Sequence, residues 1–159
     1  MIPDDALRVP HVLPQIPHEV EQLFPSPAGK VVCEIGCGYG VVSCWFALRG
    51  AQVFGIDVAD SNVKIAERAA RVNGVQGRAK FQVMQAEAMT FPSNALELVF
   101  GNAVLHHVDL ETTAREVFRV LKPGGTAIFR EPLGENRLLE WARRSPLRSA
   151  KHRHTQDER

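Results

Sequence analysis

Val31-Val32-Cys33-Glu34-Ile35-Gly36-Cys37-Gly38-Tyr39-Gly40 decides the fold. Its first five residues form a short apolar run rich in β-branched side chains, the pattern of a buried strand. The run breaks into a loop with glycine at every second position, Gly36, Gly38 and Gly40. Val41-Val42-Ser43-Cys44-Trp45-Phe46-Ala47-Leu48 follows and reads as a buried helix. Glycine admits positive φ and lets the backbone come close to a ligand. The start of a helix offers free N–H groups to that ligand. Strand, glycine turn and helix start together predict a cradle for a nucleotide-type cofactor. The spacing departs from the dinucleotide fingerprint G-x-G-x-x-G, because the third glycine comes one residue early.

Working outward, Gly50 fits the end of the first helix. A second strand over residues 52–56 ends at Asp57, 21 residues after Gly36, with Val58 beyond it. In a βαβ cofactor site an acid at this point bonds the ribose hydroxyls, and a carboxylate can accept from both. Ser61 or Asp60 is positioned to cap a helix over residues 62–72, which Asn73-Gly74 ends. A third strand over residues 79–84 leads to Gln85-Ala86-Glu87, and a fourth spans residues 96–100. Asp109 can cap a helix over residues 110–121 with a core stripe of Ala114, Val117, Phe118 and Leu121. Lys122-Pro123-Gly124-Gly125 reads as a turn before a fifth strand at residues 126–129. Strands alternating with helices predict an α/β fold: a Rossmann-like, doubly wound, mainly parallel sheet of about five strands in three α/β/α layers. Right-handed crossovers gather the strand ends, and so the cofactor, along one edge.

Residues 1–29 hold six of the ten prolines and read as an irregular arm. Within it, Ile16, Val20, Leu23 and Phe24 form one apolar helical stripe. Residues 30–133 form the core, and residues 134–159 read as a short helix with a basic polar tail. That end is uneven in charge, with seven Arg/Lys against three Asp/Glu over residues 137–159. The net charge of +1 gives no case for nucleic acid. No 18-residue apolar run exists, so no membrane span is expected, and the acidic, Pro-broken start is not a secretory signal. Cys33, Cys37 and Cys44 are odd in number and fall on one strand–loop–helix unit. They predict buried thiols in a reducing cytoplasm rather than a disulfide framework, and no metal site is expected.

Residues 31–133 resemble the class I S-adenosylmethionine (SAM)-dependent methyltransferases, in particular the small-molecule group that includes ubiquinone and menaquinone biosynthesis. Four ordered stretches carry the likeness. These are the glycine loop with Glu34 two residues before it, Asp57 after Phe54-Gly55-Ile56, and residues 81–99, similar to F-x-x-G-D-A-E-x-L-P-F-P-D-N-S-F-D-L-V. The fourth is Leu105-His106-His107 followed by Arg119-Val120-Leu121-Lys122-Pro123-Gly124-Gly125. Glu131-Pro132-Leu133-Gly134-Glu135-Asn136 and onward also resembles a tail of some bacterial members. The resemblance implies that Glu34 helps fix the methionine end of SAM, often through water. It implies that Gly36, Cys37, Gly38 and Gly40 cradle the cofactor and that Asp57 and Val58 meet its ribose side. Gln85, Ala86 and Glu87 fall at the adenine site, where Gln85 replaces the family's Asp. Asn102 and Ala103 fall beside the methionine part. Glu97 replaces an Asp and is expected to be structural.

The family sheet has seven strands in the order 3-2-1-4-5-7-6, but no sixth or seventh strand is legible here. Strand five is then an uncovered apolar edge, which invites self-association or another chain. The expected activity is transfer of a methyl group to a small-molecule acceptor, leaving S-adenosylhomocysteine (SAH). His106 or His107 is the candidate base if the acceptor holds a proton. Two alternatives stay open: a truncated or non-catalytic SAM-binding domain acting through association, and an NAD-linked oxidoreductase. Asp57→Ala is expected to weaken SAM binding at least tenfold (roughly 1.4 kcal/mol or more) and leave the fold intact.

Overall fold

A computed structural model describes residues 2–9 and 24–131 of the chain. The stripe through Ile16, Val20 and Leu23, and the segment 134–159, lie outside the described residues. Five parallel strands form one sheet: β1 Val31–Ile35, β2 Gln52–Asp57, β3 Ala79–Val83, β4 Leu96–Asn102 and β5 Leu121–Arg130. Their order is β3-β2-β1-β4-β5. Three helices connect them: α1 Val41–Leu48, α2 Asp60–Val72 and α3 Leu110–Val120.

The period-two alternation of β1 sends its side chains into two separate cores. Val32 joins Val53, Leu98 and Phe100 beneath α1 and α2, where Phe46, Ala66, Ala69 and Ala70 pack on the sheet. Cys33 and Ile35 join Leu96 and Val99 on the other face, beneath Val117 and Val120 of α3. This is the three-layer arrangement expected. The alanines of α2 bring that helix close, and Phe46 meets Phe100 edge-on at 5.8 Å between ring centroids. Each fully buried side chain of that size contributes about 1.5–3 kcal/mol. No helix among the described residues is long and apolar enough to cross a membrane.

The glycines end α1 and α2 as the spacing predicts. Gly50 has φ +90° and Gly74 φ +68°. In both, the next two amides close back onto the last turn: Gly50 N–H to Ala47 and Ala51 N–H to Phe46, Gly74 N–H to Arg71 and Val75 N–H to Ala70. This is the Schellman arrangement. Asp109 caps α3 through Oδ1, which accepts from Thr112 N–H at 2.9 Å. Neither Ser61 nor Asp60 caps α2. Ala59 holds that place without a side-chain bond, and Asn62 turns to Asp57 instead.

Two further expectations are corrected. The buried stripe of α3 is Thr113, Val117 and Val120, while Ala114 faces solvent and Phe118 is 84% exposed. The helix is rotated by its far-side ties. Arg119 donates to the carbonyls of Phe91 and Met89, and Glu116 accepts from Met89 N–H at 2.8 Å. Those bonds fix which residues meet the sheet. The Lys122-Pro123-Gly124-Gly125 turn lies inside β5 rather than before it. Leu96 pairs with Leu121 and Leu98 with Thr126, so β5 advances five residues while β4 advances two. The extra residues loop out as a bulge. Lys122 then reaches Glu97 of β4, whose other oxygen accepts from Val31 N–H at 2.6 Å. Glu97 is structural, as expected.

Cys33, Cys37 and Cys44 are all buried and free. Cys33 faces one core and the other two face the opposite one. Burial pushes the Cys44 thiol up to about 12 and the other two higher still. β5 pairs only with β4 among the described residues. Leu7, from the 3-10 turn Asp4–Leu7, is buried in the α1–α2 core. Asn73 accepts from Val9 N–H and donates to the Leu7 carbonyl. This part of the arm therefore docks at the carboxyl end of α2, away from the strand edge where the glycine loop lies.

Candidate functional site

The glycine loop turns at the carboxyl edge of β1. Gly36, Gly38 and Gly40 have φ of +66°, +52° and +74°. Two of them also sit too close to neighbours for any side chain. A Cβ on Gly36 would lie 2.7 Å from Val104 Cγ2, and one on Gly40 2.7 Å from Ala66 Cβ. The loop is tied to β2 by Cys37 N–H donating to the Ile56 carbonyl at 2.9 Å.

Asp57 makes the second tie. Its Oδ2 accepts from Gly38 N–H at 2.9 Å, and its Oδ1 accepts from Ala59 N–H at 2.9 Å and Asn62 Nδ2 at 3.2 Å. The side chain is buried. One carboxylate thus joins the glycine loop to the loop that starts α2. A carboxylate offers about four lone-pair sites, so about one remains for a ligand.

These two loops form one wall of a cleft of about 490 Å³. Gly36, Asp57 and Val58 lie on that wall, with Asn62 beside them. Gln85, Ala86 and Glu87 form the side beyond β3. Glu87 is fixed there because its Oε1 accepts from Asp109 N–H at 3.0 Å. Ala103, Val104 and His107, from the loop after β4, close the opposite side. Ile35, Ile56 and Met84 supply apolar surface. The cleft lies within the roughly 300–1,000 Å³ of small-molecule sites.

Six residues singled out in the sequence do not line the cleft. Cys37, Gly38 and Gly40 build the loop behind it. Asn102 turns towards β5, where its Oδ1 accepts from Arg130 Nη1 at 3.3 Å. Glu34 is buried, and its Oε2 accepts from the Ser43 hydroxyl at 2.5 Å. Burial pushes its pKa up to about 8, against the lowering effect of the Ser43 bonds. The protonated form is therefore favoured at neutral pH.

His106 is the sixth. Its ring is tilted at 47° to that of His107, with centroids 4.0 Å apart, and its Nδ1 lies 2.9 Å from Glu131 Oε2. Glu131 Oε1 accepts from Val104 N–H at 2.8 Å and Leu105 N–H at 2.9 Å. Burial works against the ionised form of Glu131. The bonds from His106, Leu105 and Val104 outweigh it and hold the carboxyl below the usual range. The braced loop carries a rare feature: Ala103 has φ +54° without being glycine.

Sequence reasoning missed Asn62, Met84 and Val104 on the cleft, and it did not see what Glu131 does. Asn62 stands five residues after Asp57, where the first turn of a helix returns to the strand end. That signal was available. Val104 shows only through its fit against Gly36, which no spacing records.

Known proteins resemble the chain in sequence and in fold. The family profile described as "Methyltransferase domain" matches residues 33–129. A ubiquinone biosynthesis O-methyltransferase of Chromobacterium violaceum is 37% identical over 105 residues, covering 65% of this chain and 45% of that protein. The methyltransferase GfsG of Streptomyces halstedii is 30% identical over 110 residues, covering 66% and 40%. The chain thus spans about half the length of the curated relatives it matches. Among solved structures, the YcgJ protein of Bacillus subtilis superposes with a TM-score of 0.64 at 28% identity, over 70% of this chain and 49% of that one. The [4+2]-cyclase SpnF superposes with a TM-score of 0.65 at 29% identity, over 71% and 44%. The matched profile runs from β1 to β5 and takes in the whole cleft, so the chain belongs to the class I SAM-dependent methyltransferase family.

Proposed function

We propose that the cleft binds SAM and that the protein transfers its methyl group to a small-molecule acceptor. The observation that carries this reading is Asp57, which holds the glycine loop and at the same time lines the cleft. When bound, SAM supplies an activated methyl carbon on a sulfonium. Everything else is asked of the chain. Asp57 takes a ribose hydroxyl on its remaining lone pair. Accepting from both hydroxyls requires Asn62, the longest of its three bonds, to let go. Gln85, Ala86 and Glu87 meet the adenine, with the Gln85 amide as an uncharged acceptor. Gly36 and Ala103 face the methionine portion from either side of β1 and β4.

Glu34 supports the loop from behind, through Ser43, and does not line the cleft. Good alignment of acceptor and methyl donor alone can contribute about 7–11 kcal/mol. Of the two histidines, only His107 lines the cleft, which supports it over His106 as the candidate base for an acceptor that holds a proton.

A second reading is a SAM-binding domain completed by another chain. The outer strand β5, paired on one side only among the described residues, favours it. The NAD reading has the glycine spacing and the family against it. A fold neighbour named as a cyclase makes turnover, not likeness, the deciding test. Incubation with methyl-tritiated SAM and a protein-free cell extract as acceptor source should move label into an extractable product, with SAH formed in equal amount. SAM bound without any SAH formation would favour the second reading.

A further inference from the structure

We propose that Glu131 is a positioning residue: it braces the loop after β4 against the cleft and sets the tautomer of His106. The part concerning the cleft rests on the cofactor reading above; the part concerning His106 does not.

Glu131 follows directly on β5, and its side chain is only 9% exposed. One oxygen receives two consecutive backbone N–H groups, from Val104 and Leu105, and the other faces His106 Nδ1. No other described side chain crosses from the end of β5 to this loop with three such contacts. The loop needs a brace. Ala103 is held at positive φ, where a Cβ is disfavoured. Ala103 N–H donates to the Arg130 carbonyl at 2.7 Å. Val104 fills the space that Gly36 leaves. Glu131 thus fixes both the cleft's Val104 wall and the His106 ring, which His107 meets at a tilt of 47°.

An ionised carboxylate only accepts. A neutral His106 must then carry its proton on Nδ1, leaving Nε2 as an acceptor directed away from Glu131. The Glu131→Gln variant separates the two tasks. Two N–H groups at the Val104–Leu105 corner require the amide oxygen there. The amide nitrogen then faces His106 Nδ1, which can only accept from it, and the ring proton moves to Nε2. Bracing survives while the tautomer inverts. Glu131→Ala removes both.

The test uses the full chain with histidine labelled at both ring nitrogens, at a pH where the ring is neutral, and SAH as the ligand. Long-range proton–nitrogen spectra should show His106 protonated at Nδ1 in the parent and at Nε2 in Glu131→Gln. SAH affinity should stay within about threefold in Glu131→Gln and fall at least tenfold in Glu131→Ala, the latter about 1.4 kcal/mol or more. An unchanged His106 tautomer in Glu131→Gln would overturn the assignment. So would a folded Glu131→Ala that binds SAH like the parent. If the parent itself binds no SAH, the cofactor reading fails, and the spectra still decide what Glu131 does to His106.

Discussion

Replacing Asp57 with Ala removes a clamp as well as a ligand contact. Three donors lose their acceptor: Gly38 N–H and Ala59 N–H, each at 2.9 Å, and Asn62 Nδ2 at 3.2 Å. Hydrogen bonds to a charged group are worth about 1.5–3 kcal/mol each. The two backbone bonds end on one carboxylate and are not additive, so the expected loss is about 3 kcal/mol. That is a large share of the roughly 5–15 kcal/mol that holds a domain together. At roughly 2–4 °C per kcal/mol for a chain of this size, the melting midpoint should fall by about 10 °C. The fold is expected to stay intact, as the sequence implies, but with a lower melting midpoint.

Circular dichroism melts of Asp57→Ala and Asp57→Asn against the parent measure the clamp. SAH titration below the lowest midpoint measures the ligand contact. Asp57→Asn should fall between the two others, because its amide group faces at least one N–H donor. SAH affinity should drop at least tenfold in Asp57→Ala. A variant that melts like the parent yet loses SAH would show that Asp57 does not hold the loop. One that melts early yet binds as well as the parent would remove Asp57 from the cofactor site.

Glu34 gives a pH test. Its folded pKa is raised to about 8 by burial, above the ordinary value, so the native state binds more protons than the unfolded one between those limits. Its contribution to stability is therefore full at acidic pH and is lost as pH climbs towards 8. Glu34→Gln should flatten this part of the parent's stability profile, read as the difference between the two urea-denaturation series; parallel series would refute it. On α3, Val117→Ala should cost about 2 kcal/mol, from two buried methyl groups at roughly 0.8 kcal/mol each plus a small cavity. Phe118→Ser, on the exposed face, should stay within about 0.5 kcal/mol. Equal losses in urea denaturation would mean the helix is turned the other way.

Most of the architecture was legible. The β1 run, its alternating glycines and Asp57 at the end of β2 are local patterns, and local patterns survive into the fold. Boundaries held where a capping residue marked them, as at Gly50, Gly74 and Asp109. The α3 stripe failed because Ala114, Val117, Phe118 and Leu121 make as good an apolar row as the true one. The choice is made by Arg119 and Glu116 gripping the segment around Met89, a tertiary contact with no trace in periodicity. The Lys122–Gly125 bulge was misplaced for a similar reason: its Pro and glycines signal a turn, while β4 pairing decides which side of it the strand begins. Of the site, the glycine loop, Asp57 and the Gln85–Glu87 side were legible from type and position. Glu34 was recognised as a residue that matters, but its charge depends on burial that only the packed core supplies. The Glu131 brace joins residues 25 to 27 apart, which no local spacing reveals.

The most direct measurement is calorimetric titration of the purified full chain with SAM, SAH and NAD, with its mass in solution recorded alongside. The account predicts binding of SAM and SAH at one site per chain, lost in Asp57→Ala at a temperature where that variant is folded, and no binding of NAD. A folded chain that takes NAD, or that binds neither SAM nor SAH, would contradict it.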